Sequence, residues 1–187
     1  TIIRVTNPWQ GADGIKSDLL ILRGGEKVPS GFKGQVLDGP AKRVVCMSST
    51  YVAMLDAVGS VSTVVGVSGI HFVTNEYVRE HKDQIGDVGY DGNINFELLV
   101  ALEPDVVLLY GVSGASAMET KLRELKIPYM YVGEYVEQIP LGKSEWLVAI
   151  SEVVGRRDEG VERFSAIPSR YNSIKERVSK SGINHPK

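Results

Sequence analysis

Residues 93–110 read NINFELLVALEPDVVLLY, and the succession of patterns within this stretch sets the fold class. The apolar positions after Asn95 predict a short helix over Glu97–Leu102. It must end before Pro104, because the residue preceding a proline is pushed out of the helical region. Val106-Val107-Leu108-Leu109 follows at once, a continuous apolar run of the kind that forms a strand buried on both faces. A helix feeding directly into a doubly buried strand is the repeating unit of an α/β sheet.

The same alternation extends both ways. Upstream, Val44–Met47 and Val64–Val67 are further buried strands. Ser48-Ser49-Thr50 caps a helix over Tyr51–Val58 that Gly59 stops, and Asn75–Lys82 reads as a polar surface helix. Downstream come a helix over Ala117–Leu125 and a fourth strand at Tyr129–Val132. Short apolar runs alternating with helices predict a Rossmann-like, mostly parallel sheet flanked by helices.

The two ends differ from this centre. Ile2–Val5 and Leu19–Leu22 are strand-like, and Gly24-Gly25, Pro29, Gly31, Gly34 and Gly39-Pro40 punctuate a loop-like stretch. Residues 1–41 are therefore expected to form an antiparallel β extension lying on an α/β unit over 42–156. At the other end a helix carrying Trp146, Val148–Ile150 and Val153-Val154 stops at Gly155. Val161, Phe164, Ile167, Tyr171, Ile174 and Val178 then recur at spacings of three and four, the stripe of a long amphipathic helix within 157–187. Pro168 lacks the N–H that would bond back to Phe164, which predicts a kink or break there.

Composition narrows the function. The 187 residues carry a formal net charge of −2, and their basic residues are scattered, which argues against a nucleic-acid interface. No run approaches the ~20 apolar residues of a membrane span. The single cysteine, Cys46, lies in an apolar strand, so neither an internal disulfide nor a multi-cysteine metal site is available. His71, His81 and His185 are too dispersed for a metal centre. The chain opens on Thr1, which reads as a processed or trimmed start.

Ligands of an open parallel sheet sit beyond the carboxyl ends of its strands. The loops expected there carry Ser49, Thr50, Tyr51, His71, Phe72, Tyr90, Asp91, Tyr110, Glu134 and Tyr135. That set is aromatic and hydroxyl-rich and suits a bulky, partly apolar ligand, unless these rings fold back onto the core. Gly111–Ser116 follows a strand and opens a helix, so its amides have the placement to cradle a phosphate. It matches neither the dinucleotide fingerprint nor a P-loop, and a flexible loop with a serine cap is the alternative. No serine stands in a nucleophile-elbow setting and no acid–base pair stands out, so nothing here calls for catalysis or a cofactor.

Residues 93–110 also resemble a hallmark of the cobalamin- and ferric-siderophore-binding proteins of ABC importers. In that family an Asn-hydrophobic-Glu triplet, here Asn95-Phe96-Glu97, opens a short helix ahead of Pro-Asp and an apolar strand. Lys42–Val45, Ser48-Ser49, Val64–Val67, Gly86–Tyr90, Lys126-Ile127-Pro128, Pro140-Leu141-Gly142, Trp146 and Gly155 agree in order, and the extension with Asn7-Pro8-Trp9 is similar to Bacteroides-type members. The resemblance covers roughly residues 42–178.

It implies a bilobed protein, with residues 42–156 as the first lobe, 157–187 as the inter-lobe linker helix and the second lobe beyond this sequence. Ser49, Thr50, Tyr51, His71, Tyr90, Asp91, Tyr110 and Tyr135 become ligand contacts for an iron–siderophore, haem or corrinoid compound. Glu97 becomes the carboxylate offered to the importer's permease subunits. Location in the periplasm or on the cell surface follows from the resemblance, with any lipid anchor outside this sequence. The alternatives are a Rossmann-like enzyme holding a phosphate-bearing cofactor at Gly111–Ser116, and an interaction module using the sheet as a platform.

Overall fold

The computed structural model describes residues 1–90, 92–112, 114 and 117–181. Its principal sheet has five parallel strands in the order β6-β5-β4-β7-β8, namely Gly86–Asp87, Val64–Val67, Val44–Cys46, Val106–Leu109 and Tyr129–Tyr131. The three central strands are the apolar runs of the sequence, and nearly every one of their side chains is buried. This is the mostly parallel, helix-flanked sheet that the sequence pattern predicts. Strand β6 was not anticipated: it is two residues long, lies at the edge, and shows no apolar pattern.

Helix α1 (Ser49–Ala57) begins at Ser48, whose Oγ accepts the Thr50 N–H at 3.2 Å. Helix α2 (Glu76–Glu80) is capped by Asn75, α3 (Phe96–Ala101) by Asn95, and α4 spans Ala117–Leu125. Helix α5 runs Pro140–Val153, starting earlier than the apolar pattern implies, with Pro140 in the first turn where its missing N–H costs nothing. Cys46 lies wholly buried in the middle strand.

The N-terminal region departs from the antiparallel expectation. β1 (Ile2–Thr6) and β2 (Lys16–Ile21) are antiparallel, but Gln35–Leu37 forms a third strand, β3, parallel to β2. The glycine-punctuated stretch before it is a crossover, long enough to bring the chain back in the same direction. Buried Glu152 of α5 ties the pieces together, with Arg23 Nη2 at 2.6 Å and Arg157 Nε at 3.6 Å. Two guanidiniums from separate segments supply the compensation that a buried carboxylate needs.

Helix α6 (Arg157–Lys180) runs unbroken through Pro168, so the expected break does not occur. The residues flanking Pro168 are largely exposed, which lets water take up the Phe164 carbonyl. Helices α5 and α6 pack together where Gly160 meets Ser151: a Cβ on Gly160 would stand 1.9 Å from Ser151 Oγ and 2.7 Å from its Cβ. Gly160→Ala gains up to ~1 kcal/mol of helix propensity. Overpacking at this contact costs about 3 kcal/mol, so a net loss near 2 kcal/mol is expected. Thermal unfolding followed by circular dichroism checks this, and Ser151→Gly in the same chain should recover most of the loss.

Candidate functional site

In the strand order β6-β5-β4-β7-β8 the chain moves outward from β4 on one side and then returns to β7 on the other. The crevice of a doubly wound sheet opens at such a reversal, beyond the carboxyl ends of the strands. The loops after β4, β5, β6, β7 and β8 meet on that edge.

Two of these loops are stapled by Asp87 at the end of β6. Its Oδ1 accepts the N–H of Gly69 at 3.0 Å and of Gly89 at 3.1 Å. Gly89 has φ of +79°, and a Cβ there would fall 2.1 Å from the Asn93 carbonyl oxygen, so only glycine fits this turn. The staple places Phe72 and Tyr90 side by side, ring centroids 6.0 Å apart in an edge-to-face contact. Both rings are exposed, Phe72 by 71% and Tyr90 by 51%, which leaves an aromatic rim facing solvent. His71 is exposed on the same turn.

Ser49 and Thr50 are exposed in the first turn of α1. Tyr51, expected beside them as a ligand contact, is completely buried. Its hydroxyl donates to the carbonyls of Leu109 at 3.3 Å and Val132 at 3.2 Å, so it lies beneath the wall and ties α1 to the ends of β7 and β8. Tyr110 is half-buried at the end of β7. Tyr135, on the turn Glu134–Val136, is exposed, and its hydroxyl donates to the Gly111 carbonyl. Asp91 lies outside the described residues, as do Ser113, Ala115 and Ser116 of the expected phosphate loop. Within that loop Gly111 is engaged, since its carbonyl takes Tyr135 and Trp9 covers its α-carbon.

The half-buried carboxyl of Glu134 sits near the Tyr51 hydroxyl, and its Oε2 is buried with no hydrogen-bond partner. Burial pushes this carboxyl above the usual carboxylate range, against the pull of the Glu134 and Tyr135 amides, Lys143 and a hydrogen bond from the Tyr51 hydroxyl. Lys143 Nζ is directed to the main chain, at 3.2 Å from the carbonyls of both Glu134 and Tyr135. Glu119 behaves in the opposite way. Burial would raise it, but hydrogen bonds from Tyr131, Arg123 and Tyr129 hold it below the usual range and fasten α4 to β8.

Sequence reasoning noted Trp9 only as a mark of the N-terminal extension and missed its packing role. Its ring is 7% exposed, meets Tyr131 edge-on at 5.3 Å, and covers Gly111, so the N-terminal region buttresses the loop after β7. A tryptophan beside Asn7-Pro8 in a polar stretch was the available signal. Glu97 is exposed in the first turn of α3, as its place after the Asn95 cap requires. Among the described residues no group of His, Cys, Asp and Glu is arranged to hold a metal ion, and no helix is long and apolar enough to cross a membrane.

Known proteins share this architecture. An uncharacterized lipoprotein of Methanocaldococcus jannaschii is 30% identical over 151 residues, which is 76% of this chain and 36% of that protein. A protein of the Fe3+-hydroxamate transport system of Saccharomonospora viridis superposes with a TM-score of 0.61 at 18% identity, over 95% of this chain and 57% of its own. A periplasmic haem-binding protein of Pseudomonas aeruginosa gives 0.59 at 17% identity, over 75% and 48%. The chain thus spans about a third of the curated relative and about half of each solved structure. Residues 44–186, from the first strand of the parallel sheet through the long helix, match the family model described as periplasmic binding protein, and by that match the chain belongs to the periplasmic binding protein family.

Proposed function

We propose that this chain supplies one wall of the solute-capturing component of an ATP-driven importer, and that the solute is an iron–siderophore, haem or corrinoid compound. Residues 42–156 form the first lobe, 157–187 the linker helix toward a second lobe, and 1–41 the β extension. The observation carrying this reading is the exposed aromatic rim of Phe72, Tyr90 and Tyr135 on loops gathered at the carboxyl edge of the parallel sheet. Exposed rings on a fixed scaffold suit a large, partly apolar ligand that is held and released without chemistry. Ser49, Thr50, His71 and Tyr110 complete the contacts, with Asp91 on the loop between. Glu97, outward on α3, meets the permease subunits. The protein works in the periplasm or on the cell surface, where its lipoprotein relative supports a lipid anchor.

Equilibrium dialysis against nucleotides and then against ferric siderophores, haemin and cobalamin tests this. A full clamp with a dissociation constant near ~1 μM corresponds to roughly −8 kcal/mol. One wall alone loses about half the contact while the loss of translational freedom stays the same, so a constant on the order of ~1 mM is expected for at least one chelate. Tight nucleotide binding with no chelate bound would select the enzyme reading, a phosphate-bearing cofactor at Gly111–Ser116.

A further inference from the structure

The five loops of the wall, residues 48–51, 68–74, 89–95, 110–116 and 133–140, contain neither lysine nor arginine, although the chain has 21 such residues. Their ionisable side chains, the tyrosines aside, are His71, Asp91, Glu134 and Glu137. Glu137 is engaged, its Oε1 accepting the Trp146 indole N–H at 3.2 Å. Lys143 reaches the last loop from α5, but its ammonium is directed to the main-chain carbonyls of Glu134 and Tyr135. Glu134 is different, since one carboxylate oxygen is buried without a partner at the edge where the ligand is placed. A buried acceptor without a donor is unfavourable until one arrives.

We propose that the chelate turns a neutral or cationic, donor-bearing face to this wall, and that Glu134 selects it by accepting a hydrogen bond from that face. This rests on the chelate-capture reading above. An anionic complex finds no lysine or arginine on these loops and meets the Glu134 carboxylate, and like charges placed together across an interface disfavour binding. A complex carrying amine or amide N–H groups offers a donor to the buried Oε2 of Glu134, while its apolar flanks lie on Phe72 and Tyr90. A cationic group also gains from the faces of those rings.

The test uses three diamagnetic gallium(III) complexes titrated into the isotope-labelled protein at pH 8 and followed by NMR. One is a linear trihydroxamate with a free amine (net charge about +1), one a neutral cyclic trihydroxamate, and one a tris-catecholate (about −3), the charges following from the ionised groups. The expected result is at least tenfold weaker binding of the tris-catecholate than of the other two, with shifts centred on the amides of Glu134 and Tyr135. Glu134→Gln, checked for an unchanged amide spectrum, should narrow the ratio between the cationic and anionic complexes at least threefold. Equal or tighter binding of the tris-catecholate overturns the charge selection and leaves chelate capture standing. An unchanged ratio in Glu134→Gln overturns the role of Glu134. If none of the three complexes shifts a cleft resonance, capture of trihydroxamate and catecholate chelates fails, and this inference falls with it.

Discussion

Trp9→Ala is expected to destabilise the protein by about 3–5 kcal/mol, the range for truncating a buried large aromatic. The ring is almost wholly covered, stands edge-on to Tyr131 at 5.3 Å, and lies over the bare α-carbon of Gly111. Tyr131 is itself buried and hydrogen-bonded to Glu119, so the loss propagates toward the seat of α4. The companion change is Gly111→Ala, whose new Cβ would stand 2.6 Å from Trp9 Cε3. Alone it should cost about 1–3 kcal/mol through overpacking. In the Trp9→Ala background the space is vacant and the cost should nearly vanish, giving a coupling energy above ~1 kcal/mol. Urea unfolding of the four proteins measures the cycle. Additive losses would show that the ring and the glycine do not share one contact.

On the docking role proposed above, Glu97→Arg, made in the proposed two-lobe protein, should reduce chelate uptake to background while leaving solute affinity unchanged. Glu97 is exposed in the first turn of α3, and the inward residue of that helix is Leu99. Reversing its charge therefore touches no core contact, and the helix dipole accounts for no more than about 1 kcal/mol. On that proposal a docking surface is more sensitive, because a partner surface complementary to the Glu97 carboxylate would repel an arginine, and like charges across an interface suppress association. Uptake measured in cells, beside affinity measured on the purified protein, separates docking from capture. Normal uptake by the variant would remove Glu97 from the docking role.

Strands β4, β5, β7 and β8 were legible because a strand buried on both faces must be apolar at every position. Gly86–Asp87 and Gln35–Leu37 were not, since each pairs through its backbone, and partners such as Leu19–Ile21 carry no local trace in the paired segment. The site divides along the same line. Loop positions such as Phe72, Tyr90 and Tyr135 follow from the strand ends alone. Tyr51 looked like a surface hydroxyl at a helix start, yet carbonyls 58 and 81 residues away satisfy it. The covering of Gly111 by Trp9 is equally non-local. What escaped the sequence is the set of contacts that adjacent residues neither make nor predict.

The solitary thiol of Cys46 offers a clock for the whole molecule. It lies fully buried in the middle strand, with neighbours paired on both sides, and burial pushes its ionisation far above that of a free cysteine. Fraying at either edge of the sheet leaves it covered. A disulfide reagent added to the native protein reaches it only when β4 itself is released. Under conditions where reclosure outpaces reaction, the labelling rate then reports the free energy of the largest opening, free of signal from openings at the sheet edges.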